Sequence, residues 1–358
     1  MSSNFKKLAL STAVAFAAFS ASVSASAAEE VKPVLLKTPI AFGSHLPALG
    51  TPIKWVSDQL EVVSNGTVKM KIYEPSKLVA PFEILDAVST GKVNSGYAIA
   101  GYWDGKMPAA SIFSTVPFGP EAPEFMAWMY YGNGLTLYQE MYDTAGYNVK
   151  VLPCAIIAPE TSGWFKEEIN SLEDFKGLNI RFYGLGGKVM EKLGASVSLL
   201  PGGEIFGALE KGAIDATEFS QPAIDQLLGF YKIAKHNYFP GWHQQATLFE
   251  LLVNKDTWND MAPSQRAVVE TTCKASMTQS VAESEFIQFD AMITNEQERG
   301  VVMHTWSPEM LAGFKSAWNE VAADMSAKDP MFNKAYADLS EFRANYKVWS
   351  SRGFLPRD

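Results

Sequence analysis

Arg181 lies inside Leu178-Asn179-Ile180-Arg181-Phe182-Tyr183, an apolar run with strand character. Burying a guanidinium there is costly unless something pairs with it. It could meet an internal carboxylate, turn outward, or act as a fork for a ligand carboxylate through two parallel hydrogen bonds. Glu218 directly follows the apolar stretch Ala213–Thr217, with Phe219 behind it. A carboxylate at that point can cap a loop or hold a hard cation. Tyr102-Trp103 and Trp242-His243-Gln244 supply flat walls with polar tips, as a small-molecule cleft requires.

Enzyme signatures are sparse. Neither G-x-S-x-G nor H-E-x-x-H occurs. Ser89-Thr90-Gly91-Lys92 spells S-x-x-K, but at a helix end and with no K-T-G after it. Gly184-Leu185-Gly186-Gly187-Lys188 lacks phosphate-loop spacing and reads as a tight strand-to-helix turn. The four histidines, His45, His236, His243 and His304, are scattered without ligand spacing.

The elements that must position these residues show an internal repeat. Glu83–Gly96 aligns without a gap to Glu204–Thr217, 121 positions later. In each copy an apolar stripe (Ile84, Ala87, Val88; Ile205, Ala208, Leu209) marks a short helix. Gly91 or Gly212 then stops the helix, and a strand begins. Two copies imply two similar α/β lobes with a cleft between them.

The first lobe reads β-α-β-α-β: strand 35–42, a helix from Thr51-Pro52, strand 67–72, a helix opened by Pro81, and strand 95–100. The second repeats the plan with strand 178–183, helix 187–193, strand 196–200, the repeated helix, and strand 213–217. Such alternation predicts mostly parallel sheets with right-handed crossovers, and ligands beyond the carboxyl ends of the strands. Between the lobes a helical stretch (122–144) precedes a strand (147–152), and 248–253 reads as a strand returning to the first lobe. From Pro263 to Arg299 almost no breaker occurs, which predicts one long lobe-spanning helix. The domains are then 1–28 as signal, 29–152 plus 247–290 as the first lobe, and 153–246 plus 291–358 as the second.

The N-terminus has the order of an export signal: Lys6-Lys7, an apolar core from Leu8 to Phe19, and Ala25-Ser26-Ala27 before the cleavage point. The whole chain carries a formal charge of −9, and losing the two signal lysines leaves −11. That balance argues against nucleic acid and against an anionic membrane surface. Cys154 and Cys273 could pair in an oxidising compartment, but one sits beside a strand and the other in a helix-like stretch. Buried thiols are the expectation.

Gly163-Trp164-Phe165, Leu178–Arg181, Gly187–Gly194, Gly203–Ile205, Leu209–Gly212, Ile214–Glu218 and Pro240-Gly241-Trp242 resemble the solute-binding subunits of TRAP transporters, the DctP-type family. The pattern is most similar to the branch that binds monocarboxylate 2-oxoacids. The resemblance implies a two-lobed periplasmic binding protein fold that captures an organic acid for a sodium-driven membrane permease. It places Arg181 on the substrate carboxylate and Glu160, Tyr102 and Trp103 against the ligand. Glu218, the Phe219 carbonyl and Gln244 become ligands of a sodium or calcium ion that bridges to the substrate, with no organic cofactor. Three positions depart from the branch: Glu160 stands for glutamine, Gln244 for glutamate, and Phe219 for tryptophan. The branch exchanges a C-terminal helix between protomers, and Asp358 falls short of it, which leaves a homodimer open.

The reading is therefore a periplasmic, non-enzymatic carrier of a small 2-oxo or 2-hydroxy monocarboxylate. It has no nucleic-acid partner and no membrane insertion of its own. A metal-dependent hydrolase or lyase using Glu160 and Glu218, and a ligand-presenting subunit of a sensor, are the rival readings.

Overall fold

The first repeat unit opens the architecture. In the computed structural model, which describes residues 31–355, β1 (Val34–Pro39) runs parallel to β2 (Val68–Tyr73), with α1 (Thr51–Val63) between them. Pro52 stands in the first turn of α1, where no N–H is needed, and Ile53, Val56 and Leu60 form its buried stripe. A short 3-10 turn (Pro81–Glu83) leads into α2 (Ile84–Ser89), and β3 (Ser95–Ala98) follows. Ile40 bridges to Tyr97 in parallel, joining β1 to β3. The export signal at 1–28 lies outside the described residues.

The middle of the chain supplies α3 (Ala122–Tyr131), α4 (Gly134–Thr144) and β4 (Val149–Ile157). Next come β5 (Gly163–Phe165), β6 (Asn179–Arg181), α5 (Gly184–Lys192), β7 (Ser196–Ser198), α6 (Gly202–Glu210) and β8 (Ala216–Thr217). The repeat is visible in the backbone. Gly91 and Gly212 adopt φ of 74° and 72°, each between a short helix and the strand after it. Then follow α7 (Pro222–Leu228), β9 (His236–Phe239), β10 (Thr247–Asn254) and α8 (Lys255–Asp260). The C-terminal part is α9 (Pro263–Phe286), α10 (Gln288–Arg299), β11 (Val302–Thr305), α11 (Pro308–Lys328) and α12 (Pro330–Gly353).

Two sheet systems result. One joins β1–β2 to a three-stranded sheet ordered β3-β10-β4, in which the returning strand β10 pairs antiparallel on both sides. The other has six strands ordered β11-β9-β5-β8-β6-β7. Its repeated unit pairs in parallel (β6 with β7 and β8), as does β11 with β9, while β5 crosses antiparallel between β8 and β9. The register Arg181↔Thr217 sets Arg181 beside the residue preceding Glu218.

Two expectations need correction. The long helix is interrupted at Ile287 and continues as α10; α9 rests on β4 and α1, and α10 on α7. The cysteines are not free thiols: Cys154 and Cys273 form a disulfide between β4 and α9. The face of α9 explains this. Ser276, Ser280 and Ser284 are buried at helical spacing, and Ser280 Oγ both accepts from Ile156 N (3.0 Å) and donates to Ile156 O (2.9 Å). Ser284 Oγ accepts from Ala158 N (3.0 Å). Small side chains let the helix backbone approach the strand, and Cys273, on the same face one turn earlier, meets Cys154. Among the described residues no helix is long and apolar enough to cross a membrane.

Candidate functional site

β6 and β8 end side by side, and the last residue of β6 and the first residue beyond β8 carry opposite charges. Arg181 Nη1 lies 2.9 Å from Glu218 Oε2, with both side chains buried. The same nitrogen donates to the Glu218 carbonyl, and Nε donates to the Leu200 carbonyl (3.2 Å). Tyr183 N donates to Glu218 Oε2 as well (3.1 Å). Of the three readings open for Arg181, the internal carboxylate is present. None of these bonds uses Nη2, and Arg181 also lines a cavity.

That cavity measures about 20 Å³ and is walled by two kinds of residue. Phe42, Leu49, Ile99, Tyr102 and Phe249 form an apolar wall from the first sheet system and its loops. Glu160, Arg181, Tyr183, Phe219 and Gln244, with Thr247 from the start of β10, form the more polar wall. Of the expected site residues, Glu160, Arg181, Tyr102, Phe219 and Gln244 line it. Glu218 sits directly behind, through its pair with Arg181. Trp103 does not line it: the indole is fully buried and donates to Glu250 Oε1 (2.8 Å). It shares the chain turn with Tyr102, but the backbone there sends the two rings to different sides.

His243 was missed by spacing arguments. It is buried, its Nε2 is 3.6 Å from Glu218 Oε1, and its ring stands edge-on to Phe182 and Trp242. Ligand atoms of Glu160, Glu218 and His243 all lie within 4.8 Å of one another. The signal was its place between Trp242 and Gln244 just after Pro240-Gly241. Gly241 allows the approach, since a Cβ there would stand 2.2 Å from the Glu160 carbonyl.

Several buried polar atoms here have no hydrogen-bond partner: Glu160 Oε2, Glu218 Oε1, Gln244 Oε1 and both ring nitrogens of His243. Orphaned buried acceptors are costly, so three such oxygens converging from three elements need an explanation. A hard cation supplies one, because it is bound by carboxylate and amide oxygens. The remaining bonds fix the donors: Gln244 Nε2 donates to Thr247 Oγ1 (2.7 Å), which donates to Glu160 Oε1 (3.2 Å). Burial, then Glu218 and Asp225, push the Glu160 carboxyl well above the usual range. Burial also acts to raise Glu218, but Arg181 and His243 outweigh it and hold that carboxyl low. Two buried carboxyls side by side thus take opposite protonation tendencies, one gripped by arginine and one not.

The comparisons with known proteins agree with this chemistry. Residues 48–329 match the sequence family described as DctP, bacterial extracellular solute-binding protein family 7. The monocarboxylate 2-oxoacid-binding periplasmic protein of Nostoc sp. is 34% identical over 310 residues, covering 85% of this chain and 83% of that protein. A TRAP periplasmic solute-binding protein of Colwellia psychrerythraea, solved with calcium and pyruvate, is 30% identical with a TM-score of 0.85. The match covers 90% of this chain and 98% of that one. A counterpart from Pseudoalteromonas atlantica, solved with sodium and pyruvate, is 29% identical with a TM-score of 0.84, covering 90% and 97%. These relatives are binding proteins, not enzymes. The chain belongs to the DctP family of extracellular solute-binding proteins.

Proposed function

We propose that this protein captures a small 2-oxo or 2-hydroxy monocarboxylate of pyruvate's class in the periplasm, together with a calcium or sodium ion, and presents it to a TRAP permease. The observation that carries this reading is the set of partnerless oxygens of Glu160 and Gln244 at one buried cavity with Arg181, and of Glu218 directly behind it. Arg181 would turn its uncommitted Nη2 edge to the ligand carboxylate. Glu160, Glu218, Gln244 and the Phe219 carbonyl are the groups that would hold the ion. Bound there, the ion neutralises the carboxylates and offers a charge to a second ligand oxygen.

A cavity of this size admits such an acid only if its walls part. The lining draws on segments of both sheet systems, which supports a division into lobes 29–152 plus 247–290 and 153–246 plus 291–358. Closing them expels water and strengthens the charge pairing at lower effective dielectric. Glu160 and Gln244 exchange the residue types expected from the branch, so two carboxylates remain beside one amide. Two carboxylates suit calcium better than sodium.

Calorimetric titration of pyruvate into the purified protein tests this. Affinity is expected to fall at least about tenfold, the equivalent of 1.4 kcal/mol, when a chelator replaces calcium. Equal affinity with chelator in sodium-free buffer would remove the cation from the reading. No heat with any 2-oxo or 2-hydroxy acid would remove the substrate class.

A further inference from the structure

A second cavity lies away from the cleft. It measures about 210 Å³ and is formed where α11 and α12 meet the segment at Val116-Pro117. Val116, Trp318 and Leu339 make an apolar floor, while Tyr336, Ser340, Lys315 and Arg343 supply its polar groups. An apolar cavity of about 150 Å³ already accepts benzene in an engineered protein, so this one has room for an aromatic ring.

Its charges are unbalanced. Arg343 is partly committed: Nε pairs with Glu124 (3.1 Å) and Nη1 donates to the Phe118 carbonyl (2.8 Å). Lys315 is not. Its ammonium stands 4.9 Å from the Phe118 ring centre and makes no ion pair among the described residues. Partial burial and then the repulsion of Arg343 lower its proton affinity. Phe118 separates the two cations and takes φ of 53°, with its N–H on the Trp242 carbonyl (2.6 Å). Both cations therefore contact the same residue.

We propose that the pocket between α11 and α12 is a second ligand site, for a small organic anion with one carboxylate and a flat apolar body. The carboxylate would lie between Lys315 and the free edge of Arg343, and the body would rest on Trp318 and Leu339. Tyr336 offers a hydroxyl at the rim, while Ser340 Oγ donates to the Tyr336 carbonyl (2.6 Å). This site shares no lining residue with the cleft and does not depend on the cleft's assignment.

Benzoate is the probe, titrated by calorimetry and by saturation-transfer NMR into the native protein and into Arg181→Ala, in which the cleft arginine is removed. Saturable binding at about millimolar or tighter is expected in both. Lys315→Gln, at an exposed residue, is expected to weaken it roughly tenfold, the size of one lost charge-assisted bond. Ser340→Phe, which fills the cavity from its rim, abolishes it. Benzamide, equal in shape and uncharged, binds about as weakly as benzoate does to the lysine variant. The proposal is overturned if benzoate does not saturate in the Arg181→Ala protein. It is also overturned if both pocket variants leave its affinity unchanged, or if benzamide binds equally well.

Discussion

Two copies of one local fold lead to different chemistry in this molecule. After α2 and Gly91 the strand β3 runs into Ile99, Ala100, Gly101, Tyr102 and Trp103, and contributes an apolar wall. After α6 and Gly212 the strand β8 runs into Glu218 and Phe219, and brings a charge against Arg181. The helix, the left-handed glycine and the strand are equivalent; what differs is the first few residues past the strand. Each half also buries a carboxylate. In the first, Glu250 on β10 accepts from Trp103, Tyr138 and Tyr142 and has no orphaned oxygen. In the second, Glu218 and Glu160 each keep an oxygen without a partner. A satisfied buried carboxylate is a structural part, and an unsatisfied pair beside a cavity marks a candidate site.

The sharpest way to break this contrast is to remove the charge on the polar wall. Arg181→Ala is expected to cost about 3–5 kcal/mol of ligand binding, because it also leaves Glu218 buried without its cation. Calorimetry giving native affinity for that variant would take Arg181 out of the site.

The carboxylate of the apolar half should act on stability instead. Burial pushes Glu250 up to about 7, although the bonds from Tyr138, Trp103 and Tyr142 favour its ionised form. The native state then keeps a proton that the unfolded chain has released between roughly pH 4.5 and 7. Stability from this residue is full below that window and is lost as pH rises through it, by about 3 kcal/mol in all. Glu250→Gln is expected to flatten that part of the stability–pH curve in chemical denaturation, whatever it does to absolute stability. An unchanged slope would show that Glu250 does not titrate there.

The smallest expected effect lies at the seam. Tyr183, from the polar wall, reaches across and shares a hydrogen bond with Ser114 Oγ (2.9 Å). Gly101 makes room, since a Cβ there would fall 1.9 Å from the Tyr183 hydroxyl. Tyr183→Phe is expected to shift ligand affinity by about 1 kcal/mol, the net worth of one hydrogen bond. A loss as large as that of Arg181→Ala would mean that the seam, not the charge, governs binding.

Much of this frame was legible in residue order. The repeat, the parallel β1–β2 and β6–β8 units and the returning strand β10 all follow from periodicity and punctuating glycines and prolines. Other features were not. β5, β9 and β11 are three or four residues long, too short for an alternation to declare itself. The helix break at Ile287 carries no glycine or proline. The Cys154–Cys273 bond depends on how α9 lies against β4, which a separation of 119 residues cannot encode. In the site, positions 160, 181, 218 and 244 could be singled out from the family pattern, although the residue types at 160 and 244 depart from it. The direction of the Trp103 indole and the burial of His243 against Glu218 arise from packing between distant segments.

A crystal structure of the protein grown with pyruvate and calcium tests the central claim most directly. The account predicts the ligand carboxylate within hydrogen-bond distance of Arg181 and an ion held by oxygens of Glu160, Glu218 and Gln244. Pyruvate bound away from Arg181, or calcium found only on the surface with these oxygens turned elsewhere, would contradict it.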